Sequence, residues 1–334
     1  MSNVSTESGQ VSLSGLDELW FQVAGTRCNL TCTHCFISCS PHNNSFGFLS
    51  MEVVRKALLE SAEWGVREYY FTGGEPFLNP DLVEMLVLAL GYGPVTVLTN
   101  ATVLKDEWLE CLRDAEERGP YSLEFRVSVD GPDAATNDPI RGEGTFDRAM
   151  RGVEMLVRHG VLPIITMTRT WADADDHRVL SRFRDVLARH GCDRPRLKVL
   201  PRLLIGAEAI RTCGYDEADR VSAGMLDGFD SDQLICSHSR TVTDRGVFVC
   251  PILLEEPSAR LGGTLAEADR PFSLDQGACV TCYQFGAICT NPSGQVFEQT
   301  GAGAGRWPRE AGVFRRPVQQ LPGTGSGHRR REPT

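Results

Sequence analysis

The sequence has no apolar run near the roughly 20 residues needed to cross a membrane. Its first 14 residues lack both a basic start and an apolar segment, so they are not a secretory signal. Positive charge is in short supply: 34 Lys and Arg face 44 Asp and Glu, for a net charge of −10. That balance argues against a nucleic-acid-binding face and favours cationic partners. Without an export signal, the twelve cysteines are expected to be reduced thiols available to metals rather than disulfides. The expected compartment is the cytoplasm, with no membrane or nucleic-acid partner. At 334 residues and 41% apolar, the chain fits one large α/β domain plus an appendage.

Three cysteines fall within eight residues, Cys28-Asn-Leu-Thr-Cys32-Thr-His-Cys35, just after the apolar run Leu19–Val23. On a loop leaving a strand, thiolates at this spacing can face one centre. Zinc prefers four closed ligands, and soft thiolates also select iron–sulfur clusters. Three thiolates on a four-iron cluster leave one iron open to a small molecule. The triad alone leaves a zinc knuckle open as well. Cys39 reads as a spare thiol, because a fourth thiolate would occupy the open iron.

Apolar and amphipathic stretches then alternate. Strands are expected at Leu19–Val23, Glu68–Thr72, Val95–Thr99, Leu123–Val129, Pro163–Thr168 and Leu197–Leu200. Helices are expected at Ser50–Trp64 (Ser50 as N-cap), Pro80–Leu90, Lys105–Arg118, Phe146–His159 and Ala174–His190. Six such units imply parallel βα repeats, too few for a closed eight-unit barrel. Pattern alone leaves an open partial barrel and a doubly wound sheet equally matched. Past Arg202 the rhythm stops, and Cys213, Cys236, Cys250, Cys279, Cys282 and Cys289 follow among short segments. The expected layout is a disordered start at 1–14, a barrel at 15–205, a cysteine-rich region at 206–290 and a Gly-, Pro- and Arg-rich disordered tail at 291–334.

The Cys28–Cys35 spacing, with Gly73-Gly74-Glu75-Pro76 after the second strand, resembles the radical S-adenosylmethionine (SAM) superfamily. That resemblance implies a (β/α)6 partial TIM barrel. It also implies a [4Fe–4S] cluster on Cys28, Cys32 and Cys35, and the SAM amino group at Gly73, Gly74, Glu75 and Pro76. Further strand ends match: Thr99-Asn100 after the third strand, and Ser128-Val-Asp130-Gly131 after the fourth, with Ile140-Arg141-Gly142 beyond. By resemblance, Ser128 and Arg141 would hold the SAM carboxylate. Asp130 would take ribose hydroxyls, Asn100 would join the SAM site, and Leu204 and Ile205 would line adenine. His34 departs from the family's usual aromatic residue.

Cys236, Cys250 and Cys279-Val-Thr-Cys282 resemble the auxiliary-cluster region called SPASM, or its short form twitch. The resemblance implies one auxiliary [4Fe–4S] cluster on those four, a zinc site being the alternative. It also implies generation of a 5′-deoxyadenosyl radical that takes hydrogen from a substrate carbon, with flavodoxin or ferredoxin as reductant. With its first strand expected at Leu19, the chain is expected to have no leader-peptide domain before the barrel. Carboxylates at Asp216, Glu217, Asp219, Asp227, Asp230, Asp232, Glu255 and Glu256 suit a cationic small molecule such as an aminosugar. Together with a surplus thiol they resemble the branch's aminoglycoside epimerases, which implies antibiotic biosynthesis. Cys250 is the expected hydrogen donor, competing with its role as cluster ligand; Cys213 or Cys289 would replace it on the cluster. A twitch-type dehydrogenase of an aminocyclitol alcohol and a SPASM-type peptide modifier are the alternatives.

Overall fold

The computed structural model describes residues 7–286, 288 and 289. In chain order the strands are β1 (Gln10–Val11), β2 (Glu18–Gln22), β3 (Glu68–Thr72), β4 (Val95–Thr99), β5 (Leu123–Ser128), β6 (Ile164–Thr168), β7 (Arg196–Leu200), β8 (Ser239–Thr243), β9 (Gly246–Phe248), β10 (Arg260–Gly262) and β11 (Phe272–Ser273). The helices are α1 (Met51–Trp64), α2 (Leu82–Ala89), α3 (Asp106–Arg118), α4 (Ala134–Arg141), α5 (Thr145–Arg158), α6 (Asp176–Arg189), α7 (Ala207–Thr212) and α8 (Gly277–Phe285). Ser50 caps α1, its side chain accepting from the Val53 N–H, as its short polar side chain favours. No described helix is long and apolar enough to cross a membrane.

Strands β2 to β7 form a parallel sheet in sequence order, each linked to the next through at least one helix. Apolar residues at alternate positions, such as Leu19, Phe21, Tyr69, Phe71, Val95, Val97, Phe125 and Val127, are buried. Fully burying each aliphatic or phenyl side chain contributes about 1.5–3 kcal/mol. The other set of positions carries Glu18, Trp20, Glu68, Tyr70, Arg126 and Lys198. Trp20 stacks on Tyr70 at 4.2 Å, and the Arg126 guanidinium lies 5.2 Å from the Tyr70 ring. Glu18 on β2 and Lys198 on β7 feel each other's charge, although they lie five strands apart in the sheet order. A flat sheet would separate them by about 24 Å. The sheet therefore curves into the expected partial barrel, and these polar residues face its interior.

Two expectations about layout need correcting. Residues 7–14 are ordered rather than a loose start. β1 pairs antiparallel with β11, the Gly9 N–H donates to the Val221 carbonyl (2.7 Å), and Val11 is buried. The region after residue 205 is not a separate appendage either. β8 pairs parallel with β2, and β9 and β10 extend the same sheet by antiparallel pairing. The break in βα rhythm marks a change in connection, while the sheet continues. The expected disordered tail at 291–334 lies outside the described residues.

Candidate active site

The cysteine loop leaves β2 and is fastened to three neighbours. The N–H groups of Gly74 and Glu75 donate to the carbonyls of Gly25 (3.0 Å) and Arg27 (2.9 Å); that of Thr33 donates to Ile140 (2.8 Å), and that of Ala207 to Cys35 (2.9 Å). The ends of β3, α4 and the segment after β7 therefore meet at this loop. Gly74 is demanded by closeness, because a Cβ there would lie 2.1 Å from the Arg27 carbonyl oxygen. Gly73 adopts φ +149°, open to glycine but not to other residues.

Backbone donors point at the sulfurs. The Leu30 N–H donates to Cys28 Sγ (3.4 Å) and the Cys39 N–H to Cys35 Sγ (3.2 Å). Such contacts suit cluster-bound thiolates and tune their potential. Burial pushes Cys28 up to about 12 and Cys32 up to about 11. A hydrogen bond from the Cys39 thiol holds Cys35 down to about 6 and pushes Cys39 itself far up. Cys39 is thus a buried partner of a triad thiol. Binding iron here would displace protons. Among the described residues, no group of three or more His, Cys, Asp or Glu is arranged to hold a single metal ion. Structural zinc takes four closed protein ligands, whereas three thiolates with one position open suit a four-iron cluster.

The other expected SAM residues divide. Glu75 is fully buried and accepts from the Phe77 N–H (3.1 Å), the Thr99 hydroxyl (2.8 Å) and the Asn100 N–H (2.8 Å). Burial nonetheless pushes its carboxyl up to about 7. Pro76 begins a short 3-10 turn that Glu75 caps. The Ser128 hydroxyl, at the end of β5, has no hydrogen bond to a described residue and is free for a ligand. Asn100 braces the cysteine loop, its amide donating to Asn29 Oδ1 (2.9 Å) and approaching Cys28 Sγ (3.8 Å). Asp130 is engaged by three neighbours. Its buried carboxylate accepts from the Thr168 N–H (2.7 Å) and from His34 Nε2 (2.6 Å), and pairs with Arg141 Nε (2.6 Å). Burial acts to raise it, but Arg141 and His34 hold it well below the usual carboxylate range. Three of the carboxylate's four lone-pair sites are thus taken, which leaves one on Oδ1. The terminal nitrogens of Arg141 donate to no described residue and remain available for a carboxylate.

In the C-terminal region, Cys236 precedes β8, Cys250 follows β9, and Cys279 and Cys282 lie one turn apart on one face of α8. All four line one apolar cavity with Ile252 and Leu253. Burial raises all four thiols, Cys236 to about 12. Cys250 sits among three other thiols, an arrangement that suits its expected role as cluster ligand over that of hydrogen donor. Cys213 is exposed at the end of α7 and joins neither group. Cys289 is a fifth thiol, close enough for Cys250 and Cys282 to feel its charge, and its carbonyl accepts from Arg126 Nη1 inside the barrel.

The acidic cavity, about 450 Å³, shares Ile252 and Leu253 with the four-thiol cavity and touches the cysteine loop at Phe36. Leu204 and Ile205 form part of its wall. Six carboxylates line it, from Asp216, Glu217, Asp219, Glu255, Glu256 and Asp275, with no Lys, Arg or His among the lining residues. Burial, then Glu256, raises Glu255. Asp227, Asp230 and Asp232 are not in the lining: Asp230 caps a 3-10 turn and Asp232 accepts from the Ser14 hydroxyl (3.2 Å). Asp275 was missed by sequence reading because it stands alone, far from the other acidic runs.

Residues 23–175 match the model of the radical SAM superfamily. The antilisterial bacteriocin subtilosin biosynthesis protein AlbA of Bacillus subtilis is 31% identical over 144 residues, 42% of this chain and 31% of that protein. The AdoMet-dependent heme synthase of Oleidesulfovibrio alaskensis is 34% identical over 137 residues, 40% of this chain and 34% of that protein. The chain thus spans about a third of the length of the curated relatives it matches. Among solved structures, anSMEcpe with bound AdoMet superposes with a TM-score of 0.55 at 20% identity, covering 75% of this chain and 76% of that one. Streptococcus suis SuiB bound to precursor peptide SuiA gives 0.58 at 14% identity, covering 78% and 66%. Loop, sheet and family match agree: residues 23–175 form a radical SAM domain, the kind of domain that takes SAM and a [4Fe–4S] cluster.

Proposed function

We propose that this chain is a radical SAM enzyme acting on a small polycationic molecule, an aminosugar of the aminoglycoside class, and that it epimerises one of its carbons. The observation that carries this reading is the cavity of six carboxylates against the cysteine loop. Ammonium groups would be drawn there by charges that no cation of the lining offsets. When bound, SAM and its reduced cluster supply a radical that removes hydrogen from an unactivated carbon. The chain's own residues do the rest. Cys28, Cys32 and Cys35 would hold the cluster; Gly73, Gly74 and Glu75 would hold the SAM amino group, and Ser128 and Arg141 its carboxylate. Cys236, Cys250, Cys279 and Cys282 would hold an auxiliary cluster. One thiol of the five then remains, Cys289, to return hydrogen from the opposite face. The fitting compartment is the cytoplasm, with a flavodoxin- or ferredoxin-class electron donor.

A second reading, dehydrogenation of an aminocyclitol alcohol, is favoured by the wall that the two cavities share at Ile252 and Leu253. An auxiliary cluster there would adjoin the substrate and could accept its electron. Incubating reduced enzyme with SAM and aminoglycosides in deuterium oxide, followed by mass spectrometry, separates the two. Epimerisation replaces one carbon-bound hydrogen, which leaves in 5′-deoxyadenosine, by one solvent deuterium, because thiols exchange with solvent. Oxidation removes two hydrogens. Unchanged aminoglycosides alongside turnover of a peptide would contradict both readings.

A further inference from the structure

Arg240, near the start of β8, is a large charged side chain that is only 1% exposed. We propose that it is a positioning residue for electron transfer: its fixed charge is the counter-cation of the auxiliary cluster and raises that cluster's reduction potential. The inference rests on reading Cys236, Cys250, Cys279 and Cys282 as the ligands of an iron–sulfur cluster.

A guanidinium keeps its charge at any pH a folded protein meets. Burying such a charge is costly unless an opposite charge meets it. The bonds of Arg240 go to carbonyls: Nε donates to Ala268 (3.0 Å), and Nη1 donates to Cys236 (2.8 Å) and Ser239 (2.6 Å). Among the described residues no carboxylate forms an ion pair with it. The carboxylate whose charge reaches it, Asp269, is exposed, where water screens it.

The thiols supply the rest. Arg240 feels the charge of Cys236 and Cys250, and each of them feels its charge in return. Its bond to the Cys236 carbonyl ties the guanidinium to the peptide of a residue that lines the four-thiol cavity. Arg240 does not itself line that cavity, so it leaves the space free and acts through its field. Apart from the thiols the lining is aliphatic and aromatic, with no Lys, Arg, His, Asp or Glu. Little there screens a nearby charge. Four thiolates on a four-iron core make an anion, and reduction adds one more negative charge. A fixed buried cation therefore favours the reduced form.

The test takes the full chain with Cys28, Cys32 and Cys35 changed to Ala, loaded with iron and sulfide, so that any cluster sits at the C-terminal thiols. Iron content is counted, and the midpoint potential is read by electron paramagnetic resonance during anaerobic titration with dithionite. In that background Arg240→Gln keeps an amide donor but no charge. It should keep its iron and disfavour reduction by roughly tenfold, a shift of about 59 mV to more negative potential for one electron. Arg240→Lys keeps the charge and should stay nearer the parent. Full iron with an unmoved midpoint in Arg240→Gln would overturn the inference. So would an Arg240→Lys midpoint displaced as far as that of Arg240→Gln, the pattern of a brace for carbonyls. Loss of iron from Arg240→Gln but not from Arg240→Lys would support the need for a cation, whereas loss from both would overturn it. If the parent binds zinc or no metal, the reading of the four thiols as a cluster site falls, and the inference with it.

Discussion

Glu18 is the single residue that most directly reports the charged interior of the barrel. Burial, with Glu68 adding to it, pushes its carboxyl up to about 8 from an ordinary 4.5. Between those values the folded chain holds a proton that the unfolded chain has released. Stability should therefore fall as pH rises from about 4.5 to about 8, by up to about 1.4 kcal/mol per pH unit. Glu18→Gln keeps the shape and can still accept from Trp20 Nε1 (3.2 Å); denaturant titrations should show it with a flatter slope, and an unchanged slope would remove Glu18 as the cause. The thiols make a second test at this scale. Cys250→Ala should lose auxiliary iron, whereas Cys289→Ala should keep full iron, still make 5′-deoxyadenosine and give no epimer. Normal epimer from Cys289→Ala would exclude it as donor. The cysteine groups are legible in the sequence because spacing alone brings Cys28, Cys32 and Cys35, or Cys279 and Cys282, to one side of a loop or helix. Asp130 and Asn100 are not. Each sits at a strand end where a ligand residue belongs, and only tertiary contacts show that His34, Arg141 and Asn29 already engage them.

Among the elements, α4 carries Arg141 to the site and was not expected, because Asn137, Asp138 and Pro139 all disfavour a helix interior. It forms because Asp133 caps its first turn through the Thr136 N–H (2.9 Å). Asp138 ties it to α5, accepting from the N–H groups of Gly144 (2.8 Å) and Phe146 (2.9 Å) and from the Thr145 hydroxyl (3.1 Å). Losing a helix cap of this kind costs about 0.5–2 kcal/mol. Asp138→Ala should lower the melting temperature and weaken SAM binding together, since Arg141 ends the same helix; destabilisation with undiminished SAM affinity would show that α4 does not position it. The six barrel strands were readable to within a residue or two because each is a short apolar run between helices of amphipathic pattern. The pairing of β8 with β2 was not, since a sequence carries no mark of which strand edge a later segment will meet.

For the whole molecule, the joining of β8 to β2 sets the C-terminal region against the cysteine loop and leaves the acidic cavity between them. Acidic residues were visible in the sequence; which of them converge was decided by the fold, which selects Asp216, Glu255 and Asp275 and leaves Asp227 outside. If these carboxylates draw in a cationic substrate, KM should rise with ionic strength, since attraction is screened over about 8 Å at physiological salt. It should rise again in the Glu255→Gln/Glu256→Gln variant, while SAM cleavage without substrate stays unchanged. Indifference of KM to both would leave the cavity without a charged guest. The most direct test of the central claim is the yield of 5′-deoxyadenosine from reconstituted, reduced enzyme and SAM, compared with a variant in which Cys28, Cys32 and Cys35 are all Ala. The wild type should release it, and the variant should release none while retaining iron at the C-terminal thiols. Undiminished release by the variant would contradict the assignment of the loop.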